Sequence, residues 1–153
     1  MRPSVRLRDT SSEKWRDCEV NSKYALEQLP EIMGKLLTRS AEGKVEWRED
    51  HEPDLFEQAD VVEAFCARLE KNSTVSIEVS TSEIAFVISN NEPPSRRLLE
   101  IKFDRVPPRY GFDSAREEGA YNVLIELHEI ARRIALDLDA KVEGVKGYLD
   151  NLV

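Results

Sequence analysis

Thr74-Val75-Ser76-Ile77-Glu78-Val79-Ser80 alternates apolar and polar side chains without interruption, and just beyond it Ile84-Ala85-Phe86-Val87-Ile88 is apolar throughout. Successive side chains of a strand point to opposite faces. The first segment therefore reads as a half-buried strand and the second as a central strand covered on both sides. Moving outward, Leu99, Ile101 and Phe103 alternate with Glu100, Lys102 and Asp104 and predict a third strand. The links Ser80–Glu83 and Asn90–Ser95, the latter with Pro93-Pro94, carry turn residues. Links this short join antiparallel neighbours. On the other side, Val61–Leu69 supports two readings. As a helix, Asp60 caps it and Val61, Val62, Phe65, Cys66 and Leu69 share a face. As a strand, Val61, Phe65, Ala67 and Leu69 alternate with Glu63 and Arg68, and Cys66 falls on the polar side. The turn Lys71-Asn72-Ser73 leads straight into the next strand and favours a hairpin. Lys44-Val45-Glu46-Trp47-Arg48 also alternates and predicts a strand, followed by an acidic loop over Glu49–Asp60.

This sheet needs a cover, and the flanks supply it. After the sheet-breaking Val106-Pro107-Pro108-Arg109-Tyr110-Gly111, Ser114 and Glu117 form a capping box. Leu124, Leu127, Ala131, Ile134 and Leu138 then recur at steps of three or four. The stripe resumes past Asp139 as Val142, Val145, Leu149 and Leu152, with Gly144 and Gly147 weakening that last stretch. Such a stripe is expected to bury itself against the sheet. Before the sheet, Leu26, Leu29, Met33, Leu36 and Leu37 follow a helical period. Pro30 predicts that the regular helix begins there, and Gly43 that it ends in a left-handed cap. Residues 1–22 read as an N-terminal extension, either a short helix after the Thr10/Glu13 box or a loosely docked tail. Residues 23–153 read as one domain. The expected fold is α+β: an antiparallel sheet of four or five strands packed on an N-terminal helix and a long C-terminal helix, whole or broken. Leu36 and Leu127 are expected in the core, so that Leu127→Asp unfolds the domain.

Leu36-Leu37-Thr38-Arg39-Ser40-Ala41-Glu42-Gly43-Lys44-Val45-Glu46-Trp47, with the segment around Phe65, the strand Val75–Val79 and the closing Leu127-His128-Glu129-Ile130-Ala131-Arg132-Arg133-Ile134-Ala135-Leu136, resembles a loose group of small bacterial proteins, mostly uncharacterised. The likeness spans roughly residues 30–152. It implies a compact α+β domain and carries over no catalytic residues.

At 153 residues the chain has enough surface to bury a core without metal or disulfide staples. Charged residues make up 34% and the mean hydropathy is −0.50, with no long apolar run, so no membrane partner is expected. The first residues lack the apolar stretch of a secretory signal, and Cys18 and Cys66 match no metal or redox spacing. Both observations point to the cytoplasm. The net charge of −8 is concentrated in residues 42–60, while 96–109 reverse sign through Arg96, Arg97, Lys102, Arg105 and Arg109. A polyanion repels nucleic acid and favours basic partners.

No chemistry is written on the chain. His51 sits among carboxylates in an order that matches no calcium loop. His128-Glu129 begins a zinc-protease signature whose second histidine is replaced by Arg132; His128 is expected beside the helical stripe with its polar end in solvent. No nucleophile elbow or phosphate-cradling loop is present, and Cys66 reads as a small core residue. Catalytic residues, metal ligands and cofactors are therefore assigned to none. The expected function is a non-enzymatic protein-interaction or regulatory module, an acidic neutralising partner such as an immunity protein, antitoxin or chaperone. The alternative is an enzyme or ligand-binding domain whose groups converge only on folding. Candidate partner contacts are the acidic Glu49, Asp50, Glu52 and Asp54 and the basic, aromatic Arg96, Arg97, Arg105, Arg109 and Tyr110. A nucleic acid at 96–112 ranks below a protein partner. A homodimer through the polar face of the closing helix is a further expectation.

Overall fold

The computed structural model describes residues 22–50, 61–70, 72–91 and 96–152. Residues 1–21 of the expected extension 1–22, including Cys18, lie outside those residues, as do His51, Glu52, Asp54 and Pro93-Pro94. The element order is α1 (Lys23–Ala41), β1 (Arg48–Glu49), β2 (Val61–Glu70), β3 (Ser73–Ser80), β4 (Glu83–Asn90), β5 (Arg96–Asp104), α2 (Ala115–Ala135) and α3 (Leu138–Asp150). The strands form one antiparallel meander in the order β1-β2-β3-β4-β5. The architecture is α+β.

Cross-strand register explains the core. Phe65 pairs with Ile77, Ile77 with Phe86, and Phe86 with Ile101, so four fully buried side chains run in one row across the sheet. Onto this row α1 lays Ala25, Leu29, Met33 and Leu36, and α2 lays Ala120, Tyr121, Leu124, Leu127 and Ala131. Each fully buried large side chain contributes roughly 1.5–3 kcal/mol. At one end of the sheet Phe103, Phe112 and Tyr121 pack edge to face or tilted. The Tyr121 hydroxyl donates to the Arg105 carbonyl at 3.0 Å, which ties the link after β5 to α2.

The 61–70 segment is a strand. Facing β3, it places Phe65 and Ala67 in the core and Cys66 on the far face, with an irregularity between Val61 and Glu63. β4 lies between β3 and β5, and Ala85 and Val87 are buried on the face turned away from the helices. Its apolar character on both sides is thus matched by burial on both sides.

Three expectations are corrected. First, α1 begins at Lys23 and not at Pro30. The Ser22 hydroxyl accepts from the Ala25 N–H at 3.1 Å and caps the helix seven residues earlier. Pro30 interrupts the hydrogen-bond ladder inside the helix, and burial of Ala25 and Leu29 before it and Met33 after it offsets the loss. Second, 44–48 is not a strand along its length; only Arg48–Glu49 pair with β2, and Glu49 leaves the expected loop. Trp47 is the cause: buried at 3% exposure, it donates its indole N–H to Ser40 Oγ at 2.8 Å and so follows the end of α1. Third, the expected burial of the whole C-terminal stripe ends at Asp137, where the helix, expected whole or broken, is broken. Asp137 adopts a left-handed conformation at φ 52°, which separates α2 from α3. The second half of the stripe therefore leaves the sheet, and no residue of α3 is buried.

Candidate functional site

α3 is 13 residues long and so extends about 20 Å. Val142, Val145 and Leu149 are 49%, 58% and 57% exposed, and Leu152, just past the Asn151 cap, is 57% exposed. Leu138 at the root is half-buried. The steps are four, three, four and three, two apolar residues in every seven. That narrow seam is the spacing by which one helix meets another, whereas a helix lying on a globular core needs a wider apolar face. α2 has the wider face: Val123, Ile125 and Ile130 pack beside its buried stripe. Tyr148, 65% exposed, flanks the α3 seam.

At the root of α3 a groove of about 800 Å³ opens, lined by Val45, Trp47, Ile130 and Ile134 with Arg48, Arg133 and Asp139 among its polar residues. One Arg133 nitrogen reaches both carboxylate oxygens of Asp139, at 3.2 and 3.1 Å, across the break between the helices. Both side chains are largely exposed, so the pair adds little stability.

The acid and base groups of the body hold elements together. Glu63 Oε1 lies 2.8 Å from His128 Nε2, and Glu63 Oε2 accepts from Arg132 Nε at 3.3 Å. His128 also packs on the Phe65 ring at 5.8 Å. Its polar end is thus fastened to β2, not turned to solvent as expected. Cys66 points to the opposite face of the sheet and is not within reach of this carboxylate–imidazole pair. Burial, reinforced by nearby Asp50 and opposed by Arg48, pushes the Cys66 thiol up, away from the reactive thiolate. On that opposite face Arg97 bonds Glu78 at 2.6 Å and reaches Glu100 at 3.4 Å. Burial raises the Glu78 carboxyl above its ordinary range, against the pull of Arg97. Among the described residues no group of three His, Cys, Asp or Glu is placed to hold a metal ion. Among them, too, no helix is long and apolar enough to cross a membrane.

The predicted contact residues do not gather into one place. Glu49 is in β1, and the Asp50 N–H donates to the Ala64 carbonyl, which extends that edge; Glu52 and Asp54 are outside the described residues. Arg96 and Arg97 open β5, while Arg105, Arg109 and Tyr110 follow its end. The nine-residue strand separates the two groups by roughly 27 Å. Arg97 is engaged in the network just described, and Arg105 donates to the Ser80 carbonyl at 3.1 Å. Arg109 stacks on Tyr110 at 5.7 Å, with Tyr110 92% exposed. The α3 seam is the feature that sequence reasoning missed as a surface: its residues were recognised as apolar and assigned to the core. The signal was the change from a wide stripe before Asp137 to a strict two-in-seven spacing after it.

Compared with protein-family models, curated proteins and solved structures, the chain matches none of them.

Proposed function

We propose that the protein is a non-enzymatic interaction module that meets other protein chains through α3. The observation that supports this reading is a regular helix standing off the domain with Val142, Val145 and Leu149 exposed and none of its residues buried. An exposed apolar row with polar flanks is costly for solubility unless another surface covers it. The net charge of −8, with Glu49 and Asp50 along the β1 edge, supports a basic partner drawn by long-range attraction to that edge, apart from the α3 seam. Neutralisation of such a partner, in the manner of an immunity protein, antitoxin or chaperone, is the class of activity this combination suits.

Lys141 and Lys146 lie on α3 and provide handles for a test. Amine cross-linking in lysate of the native host, read by mass spectrometry, is expected to give links from these two lysines to another polypeptide chain, a second copy included. Links from them confined to their own chain would refute the reading.

A further inference from the structure

The seam on α3 has a pattern that specifies its own occupant. Taking the steps from Leu138 to Leu152, Leu138, Val145 and Leu152 occupy one kind of core position of a heptad and Val142 and Leu149 the other. The flanking positions are then Asp139 and Lys146 on one side and Lys141 and Tyr148 on the other. Gly144 and Gly147 fall on the outer face, where an added Cβ would meet nothing.

We infer that α3 pairs antiparallel with α3 of a second copy of this chain. In that arrangement Leu138 packs against Leu149 of the second copy and Val142 against Val145, and two-fold symmetry repeats each contact. The flanks then set Asp139 opposite Lys146 of the second copy, twice, and Lys141 beside the Tyr148 ring, twice. Opposite charges and cation–aromatic contacts are favourable in both places. The parallel alternative would put Lys141 against Lys146 of the second copy, also twice, and is disfavoured by like-charge repulsion. The present partners of these groups are yielding: Asp139 holds Arg133, and Lys146 holds Glu143 at 3.5 Å, all at exposures of 57% or more. A seam of about two heptads is short, so the dimer belongs in the micromolar range rather than among obligate dimers. The inference rests on α3 being an interaction surface and adds which chain it meets.

The full-length purified protein is examined by sedimentation velocity across a concentration series from low micromolar to hundreds of micromolar. A monomer–dimer equilibrium is expected. Val145→Asp places a charge at the centre of the seam in both copies and should weaken association on the order of 100-fold. Val145 is 58% exposed, so this variant should melt like the parent at low concentration, which separates lost pairing from lost folding. Lys146→Asp distinguishes the orientations. Antiparallel pairing sets the new carboxylate against Asp139 and weakens the dimer roughly tenfold; parallel pairing sets it against Lys141 and tightens the dimer. A tighter dimer, a dimer indifferent to Val145→Asp, or a monomer throughout the series would each overturn the inference. A monomer whose Lys141 and Lys146 still cross-link to a different protein in native lysate would overturn it while leaving the interaction reading standing.

Discussion

Leu127 and Leu149 belong to the same apolar stripe in the sequence, yet one is fully buried and the other is 57% exposed. The same substitution at each site, Leu→Ala, should therefore give very different results. At Leu127, the α2 side chain is fully buried in the core that α1, α2 and the sheet share. Removing it forfeits the transfer free energy of the deleted atoms and leaves a cavity, about 2–5 kcal/mol together. For a domain of this size that destabilisation lowers Tm by about 6–15 °C. At Leu149 the deleted atoms already face water in the monomer, and alanine is the better helix former, so the change stays within about 0.5 kcal/mol. Thermal unfolding followed by far-ultraviolet circular dichroism measures both, at a protein concentration low enough to keep the chain monomeric. Leu127→Asp, which adds a buried charge to the cavity, should not fold at all. Equal shifts at Leu127 and Leu149, or a larger one at Leu149, would refute the division between a packed α2 and a free α3.

Two further outcomes follow from single buried contacts. Ser40→Ala removes the acceptor of the buried Trp47 indole and leaves that N–H unpaired; about 1–3 kcal/mol should be lost in denaturant unfolding, and Trp47 fluorescence should shift as its surroundings change. Glu78, whose folded carboxyl is raised by burial, binds its proton more tightly folded than unfolded. Its contribution to stability therefore grows as pH falls through the window from that raised value down to the ordinary glutamate range. The stability of the parent relative to Glu78→Gln should accordingly rise across that window in parallel melts; a constant or falling difference would show that burial does not govern this group.

The sheet was legible because its signals were local. Thr74–Ser80 alternates, Ile84–Ile88 is apolar on both faces, and short turns dictate antiparallel order; β3, β4 and β5 lie where those patterns put them. Where the reading went astray, a tertiary contact overrode a local rule. Pro30 argued for a late helix start, but the Ser22 cap and the burial of Ala25 and Leu29 extend α1 past it. Val45 and Trp47 alternate like strand residues, yet the Trp47 indole bonds to Ser40 and takes the segment to the helix end. The candidate site was the hardest to read. Periodicity reports that a face is apolar, not what lies against it, and so Val142, Val145 and Leu149 were read as core on the same grounds as Leu124 and Leu127. The basic and aromatic residues of 96–110 are close in sequence, but an extended strand holds them apart.

The left-handed backbone at Asp137 has a consequence for how this chain is free to change. Because the bend ends the body at Leu136, the arm beyond it bears almost none of the weight of the fold. Replacements along α3 therefore reshape an exposed surface without endangering whether the chain folds. Those along α2 have no such liberty. A single awkward torsion thus divides one greasy ribbon of sequence into a fixed keel and an adjustable hand.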